Sequence, residues 1–404
     1  MSLKIHKNLV VAVKESLSEI FFENKQADKQ IESVLKSDKR WGKRDRNFVA
    51  ETTYDCLRNI RYFNYIFNKE TEFTSETIYG IIAVYLKLKH NEIPDWDFFT
   101  NVPSDEEIQN RILETQNLPQ IKNSYPDWLY QKAQAELGTI WLKEAEALNQ
   151  TTNVVIRANT LQTSVDKLQQ ELANLEIETE KTDLAKDALV LKKRTNLKQL
   201  DLYKNGFFEV QDVASQNAAN FLRVEPGMTV IDACCGAGGK SLHIAALLQN
   251  KGKIVSLDIE AFKLKELEKR AERNKVKIIQ SKWIENETVI TQLKNTADRL
   301  LLDVPCTGLG VLRRNPDTKY KLTLAFLEEI KKTQAYILQT YSQMLKPQGL
   351  MVYATCSILP EENSKQIEAF IAKNNNFELV EEKKFFASVQ GFDGFYMALI
   401  KKKE

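Results

Sequence analysis

Apolar positions change their period twice along the chain. Up to residue 145 they recur at three- and four-residue spacing: Leu9, Val10, Val13, Leu17, Ile20 and Phe21, then Val49, Thr52, Thr53, Cys56, Leu57, Ile60, Phe63 and Phe67. That spacing lays an apolar stripe along successive helices. Prolines at 94, 103, 119 and 126 punctuate the later helices, and Ser104 and Asp105 are start signals after Pro103. From residue 151 short β-like runs appear at 153–158, 189–191 and 207–210, around a helical stretch at 165–175 with apolar Val165, Leu168, Leu172 and Leu175. Beyond residue 211 strand candidates at 230–233, 254–257, 277–279, 299–302 and 350–354 alternate with helices at 242–248, 264–274, 324–345 and 364–372. Such alternation predicts a doubly wound parallel sheet, with a ligand at the carboxyl ends of its strands. The expected organisation is therefore an all-α domain over 1–145, a small α+β segment over 150–210 and an α/β domain over 211–404.

Glycine usage agrees with this division. Gly42, Gly80 and Gly138 are the only glycines before Gly206. Helical bundles need few, whereas α/β folds use them at turns and ligand loops. With 404 residues and 43% hydrophobic content the chain can bury a large core without staples. The balance of 57 basic against 55 acidic residues leaves a net charge of +2, which excludes binding by overall charge but not by a local basic face. Residues 37–46 (SDKRWGKRDR) hold five basic residues and Trp41, and read either as a grip on a phosphate backbone or as a solvated loop. Lys192, Lys193 and Arg194 edge the α+β segment, as in an RNA platform or a plain linker domain.

Five cysteines without CxxC spacing make a poor disulfide framework, and His6, His90 and His243 lie far apart, so no metal site is expected. Residues 1–17 lack the apolar core of a signal peptide, and no run approaches ~18 apolar residues. No membrane partner is expected, and a reducing cytoplasm is.

Three stretches carry candidate chemistry. The first, VIDACCGAGGKSLH at 230–243, is a strand, a glycine-rich turn and a helix start. Its backbone lets a ligand approach closely, beside a helix N-terminus. A phosphate-binding P-loop needs a glycine where Cys234 stands, and a dinucleotide fingerprint needs Gly or Ala where Ser241 stands. Asp258 ends the strand KIVSLD about 20 residues after Gly238, where a carboxylate accepts hydrogen bonds from ribose hydroxyls. Loop and acid together point to a nucleoside-containing cofactor. The second stretch, LLDVPCTGLG at 301–310, places Asp303 and Cys306 at a strand end; the third, YATCS at 353–357, does the same for Cys356 and runs on into Pro360, Glu361, Glu362 and Asn363. The expected fold brings both thiols to one edge of the sheet.

CCGAGGK, DVPCTGLGVLRRNPD and YATCSILPEEN resemble three motifs of the RsmB/NOP/Sun family of RNA cytosine-C5 methyltransferases, from about residue 205 onward. The segment GFFEVQD is similar to that family's lead-in, and the helical N-terminus resembles the NusB-like RNA-binding domain of the RsmB branch. The resemblance implies a Rossmann-like class I methyltransferase domain over 211–404 and S-adenosylmethionine as cofactor. It implies Cys234, Cys235, Gly236, Ala237, Gly238, Gly239, Lys240, Asp258 and Asp303 around that cofactor, Cys234 and Cys235 as packing residues. By the same resemblance Cys356 is the nucleophile at C6 of cytosine, Cys306 assists product release, Asp303 contacts the base edge and Lys240 borders the substrate. The lysine's charge is also placed to lower a nearby thiol pKa. Expected partners are an RNA, small-subunit ribosomal RNA first, and the chain is expected to act as a monomer. A tRNA substrate, or a non-catalytic assembly factor on the same fold, are the rival readings.

Two departures stand out. The family's Ala-Pro in the first loop is Gly236-Ala237 here. Its acid after the third strand, which meets the adenine amino group, is absent from Gln280-Ser281-Lys282-Trp283. Trp283 either stacks on adenine or packs in the core.

Overall fold

The computed structural model describes residues 5–404, which form two compact units. The first runs to Gln150 and takes in a later segment, Leu312–Leu322; the second comprises Thr151–Val311 and Thr323–Glu404.

The first unit is helical, as its periodicity predicts. Leu9, Val10, Val13, Leu17 and Ile20 line the buried face of the helix Lys7–Phe22. The long helix Lys43–Asn68 buries Phe48, Val49, Cys56, Leu57 and Ile60 and bends at Asn59, where the backbone leaves helical geometry. Ile78–His90 is apolar nearly all round and fills the middle of the bundle. Ser104 caps Asp105–Thr115 through a reciprocal bond with Glu107.

The returning segment is held by a buried lysine. Lys319 Nζ donates to Arg58 O (2.8 Å), Asn149 Oδ1 (2.9 Å) and Asn123 O (3.3 Å). The Tyr125 ring lies 4.5 Å from it. None of these partners is a carboxylate, and burial pushes the Lys319 pKa well down. The sequence pattern ran the C-terminal domain unbroken through this return.

The second unit holds two sheets. The small one contains β1 (Val155–Ala158), β2 (Thr179–Lys181), β3 (Ala188–Leu191) and β4 (Phe208–Val210), antiparallel in the order β2-β3-β1-β4. The large one contains β5 (Thr229–Asp232), β6 (Lys253–Asp258), β7 (Ile279–Trp283), β8 (Ala297–Asp303), β9 (Leu345–Thr355), β10 (Phe377–Phe385) and β11 (Phe395–Lys402). Their order is β10-β11-β9-β8-β5-β6-β7. Strands β5 to β9 pair in parallel, and β11 is antiparallel to both β9 and β10. The sheet is thus mixed, not wholly parallel as the strand–helix alternation predicts. Apolar runs such as KIVSLD and ADRLLLD suit strands covered on both faces. The third parallel strand starts at Ile279 rather than Lys277, and the helix expected to 345 ends at Tyr341, before a short turn and β9.

Strand order reverses between β5 and β8, so the loops leaving these neighbours diverge. That is where an open α/β sheet takes its ligand. No helix among the described residues is long and apolar enough to cross a membrane.

A lysine whose folded pKa is depressed binds fewer protons in the folded state, so it adds stability as pH rises toward its ordinary value of about 10.4. Urea unfolding across that range should show wild type gaining on Lys319→Met as pH increases. A constant difference would mean the ammonium is not perturbed.

Candidate active site

The loop after β5 turns at Gly236 and Gly238 and feeds the helix Gly239–Leu247. Gly238 has φ 83°, and a Cβ there would lie 2.6 Å from Leu267 Cγ, so both backbone and packing call for glycine. Asp232, which ends β5, points into the core. It accepts from Ser241 Oγ at 2.6 Å, and burial raises its pKa to about 7. Cys234 and Cys235 sit in the same loop with thiols pushed up by burial.

Asp258, at the end of β6, reaches back to this loop. One carboxylate oxygen accepts from Gly236 N (2.8 Å) and the other from Glu260 N (2.9 Å). Beside it opens a cavity of about 450 Å³, lined among others by Cys234, Gly236, Asp258, Ile259, Asp303 and Tyr336. Trp283 is not a core residue. It is 48% exposed, and its indole N–H donates to Ile259 O at 2.8 Å.

Asp303 ends β8 and lines the same cavity. Its Oδ2 holds Lys240 Nζ at 2.5 Å, and that nitrogen also lies 5.4 Å from the Phe395 ring. Burial works against the lysine's charge, but the Asp303 carboxylate outweighs it and raises the pKa. Beyond this pair lie the two thiols, Cys306 Sγ and Cys356 Sγ, 3.2 Å apart. The bond to Cys356, then burial, then Glu362 push the Cys306 thiol well up. The Lys240 charge is engaged by Asp303 and also interacts with Cys356.

Sequence reasoning named Glu362 without giving it a role. The carboxylate is fully buried. It accepts from Thr307 N (2.9 Å), Thr307 Oγ1 (2.5 Å), Ser357 Oγ and Gln334 Nε2 (3.0 Å). Thr307 follows Cys306 and Ser357 follows Cys356, so one side chain ties the two thiol loops together. Asn363 adds a bond to Ser357 O at 2.9 Å. Gly310 N donates to Cys356 O at 2.8 Å, and a Cβ on Gly310 would meet Gly394 O at 2.0 Å. The only signal for Glu362 was its place six residues after Cys356.

Candidate site residues thus converge from four strand ends: Cys234 to Lys240 after β5, Asp258 at the end of β6, Asp303 at the end of β8 with Cys306 after it, and Cys356 after β9. No group of three or more His, Cys, Asp or Glu side chains among the described residues is arranged to hold a metal ion. His243 instead pairs with Asp187 at 3.3 Å, its pKa lowered to about 4 by burial.

The family described as 16S rRNA methyltransferase RsmB/F matches residues 219–400, and the ferredoxin-like domain of RsmF/B-like methyltransferases matches 125–198. Ribosomal RNA small subunit methyltransferase B of Pasteurella multocida is 35% identical over 69% of this chain and 65% of its own length. The probable enzyme of that name in Bacillus subtilis is 32% identical over 75% of this chain and 71% of its own. Among solved structures, PH0851 superposes with a TM-score of 0.84 at 23% identity over the whole of both chains. NSun6 of Pyrococcus horikoshii, solved with SFG, gives 0.64 at 21% identity over 70% of this chain and 99% of that one. Both share the fold.

Glu362→Gln sets an amide N–H₂ against hydrogen-bond donors. Leaving a buried donor unsatisfied costs about 1–3 kcal/mol. The variant should lose at least tenfold in turnover while holding S-adenosylmethionine as tightly as wild type. Unchanged turnover would show that the clasp does not set the thiols.

Proposed function

This chain belongs to the RsmB/F family of ribosomal RNA methyltransferases, and on that premise we propose that it methylates C5 of a cytosine in small-subunit ribosomal RNA through a covalent adduct with Cys356. The observation that carries the proposal is the pair of thiols 3.2 Å apart, beside the Lys240–Asp303 pair that borders the cavity.

The cavity fits the family's cofactor, S-adenosylmethionine. Asp258 offers carboxylate lone pairs where a ribose would lie, and Gly236 brings backbone to the cavity wall with no side chain. When bound, the cofactor supplies an electrophilic methyl group. The residues of the chain supply the rest. Cys356 as thiolate adds to C6 of the cytosine, which makes C5 nucleophilic. Asp303 and Lys240, already paired, meet the polar edge of the base and the charge that develops on it. After methyl transfer a base removes the C5 proton, the Cys356–C6 bond breaks and the aromatic ring returns. Cys306, hydrogen-bonded to Cys356 and with its thiol pushed up, is mainly protonated and so suited to donate its proton to the Cys356 sulfur as the Cys356–C6 bond breaks, rather than to attack.

The helical unit supplies an RNA contact in this reading. Of the basic run at 37–46, Arg40 is spent on Asp38 (2.6 Å) and Arg46 turns in to Trp41 O (3.0 Å). Lys43 and Arg44 instead line a cleft of about 480 Å³ together with Lys89 and His90. Its walls include Phe48, Tyr85 and Glu51. Burial and Lys89 lower the His90 pKa, so Lys43, Arg44 and Lys89 are the cations; three of them against one acid favour a phosphodiester.

Two measurements test this reading. Cys306→Ala should accumulate a protein–RNA adduct that survives denaturing electrophoresis, and the variant lacking both thiols should not. A trapped adduct in Cys356→Ala would reverse the roles. Charge reversal of Lys43, Arg44 and Lys89 together should weaken RNA binding at least tenfold and flatten its salt dependence. An unchanged salt slope would place the RNA elsewhere.

A further inference from the structure

The small antiparallel sheet sends side chains into the cofactor loop. Arg157 on β1 is buried, 2% exposed, and its Nη1 donates to Gly239 O at 2.9 Å and to Gln211 Oε1. Arg270, on the helix Ala261–Arg273, donates from Nη1 to Ala237 O at 2.7 Å. Its Nη2 meets Glu209 Oε2 on β4 at 2.9 Å. Glu209 is also 2% exposed and takes further bonds from Arg273 and Asn274. Burial alone would raise the Glu209 pKa; the surrounding donors and guanidiniums bring it below its ordinary value.

Two guanidiniums therefore grip two carbonyls of one short loop. A peptide is a rigid plane, so fixing its carbonyl fixes the N–H on the other side. Holding Ala237 O orients Gly238 N, which closes the turn on Cys235 O at 2.9 Å. Holding Gly239 O orients the peptide of Lys240, whose side chain reaches Asp303. The loop has no proline at Gly236-Ala237 to stiffen it. Its shape is set from outside.

We propose that Arg270 and Arg157, anchored by Glu209 of β4 and by Gln211 just after it, are positioning residues that hold the S-adenosylmethionine loop in its binding geometry. The small sheet is then part of the cofactor site as well as a neighbour of it. The proposal rests on the reading of residues 234–240 as the cofactor loop.

Calorimetry and steady-state kinetics on the full chain test it, with Asp258→Ala as the control for the loop reading. Arg270→Gln should weaken S-adenosylmethionine binding at least tenfold and raise its KM in proportion. At saturating cofactor, kcat should stay within about twofold of wild type and the KM for RNA should not move. A residue that merely supports the fold would lower thermal stability without this split. Amide hydrogen exchange should speed up over 234–240 more than over the rest of the sheet. If Arg270→Gln does not fold, Glu209→Gln loosens the same guanidinium and should show the same split. Wild-type affinity in the folded variant, with binding lost in Asp258→Ala, overturns the positioning role and leaves the loop reading standing. Wild-type affinity in Asp258→Ala removes the loop reading, and the proposal with it.

Discussion

The reversal of strand order between β5 and β8 is the constraint on which the site depends. Parallel strands joined by right-handed crossovers put all their carboxyl ends on one edge. Where the order reverses, adjacent loops part and leave a crevice. Here the parting loops carry the glycine turn and Lys240 on one side and Asp303 and Cys306 on the other. The strand next to β8 delivers Cys356. No element has to be distorted to assemble the site, because the topology places its parts.

Within that frame, buried charge is handled in two ways. Lys240 pairs with Asp303 across the crevice, and the carboxylate keeps the lysine charged in a partly dry place. Glu362 is satisfied by four neutral donors. The first arrangement leaves charge at the mouth of the cavity for a polar ligand to meet. The second uses a carboxylate as a rigid connector between two loops. Around the cofactor loop Glu209 combines both, binding two guanidiniums and an amide.

The sequence was legible where structure is local. Strands β5, β6, β8 and β9 read as apolar runs, and the loop and thiol motifs stand at their ends, so the candidate residues are legible in the sequence alone. Strand β10 was not read, because FELVEEKKF buries only its two ends and looks like a charged turn or helix. β2 is three residues long and largely exposed. Glu209, Arg270 and Arg157 carry no motif; their meaning lies in contacts across 33 to 82 positions of chain, and periodicity holds no trace of such pairs. Lys319 is the same case: an ordinary lysine in the sequence, fully buried in the fold.

The central claim is chemical, that a thiol adduct activates C5 of cytosine for methylation. Ribosomal RNA carrying tritium at cytosine C5, incubated with the purified chain and S-adenosylmethionine, tests it most directly. Methylation at C5 must expel that hydrogen, so tritium should appear in water in step with methyl incorporation and should stay in the RNA when Cys356 is replaced by Ala. Methyl incorporation with no release of tritium would place the new group on another atom and contradict the account.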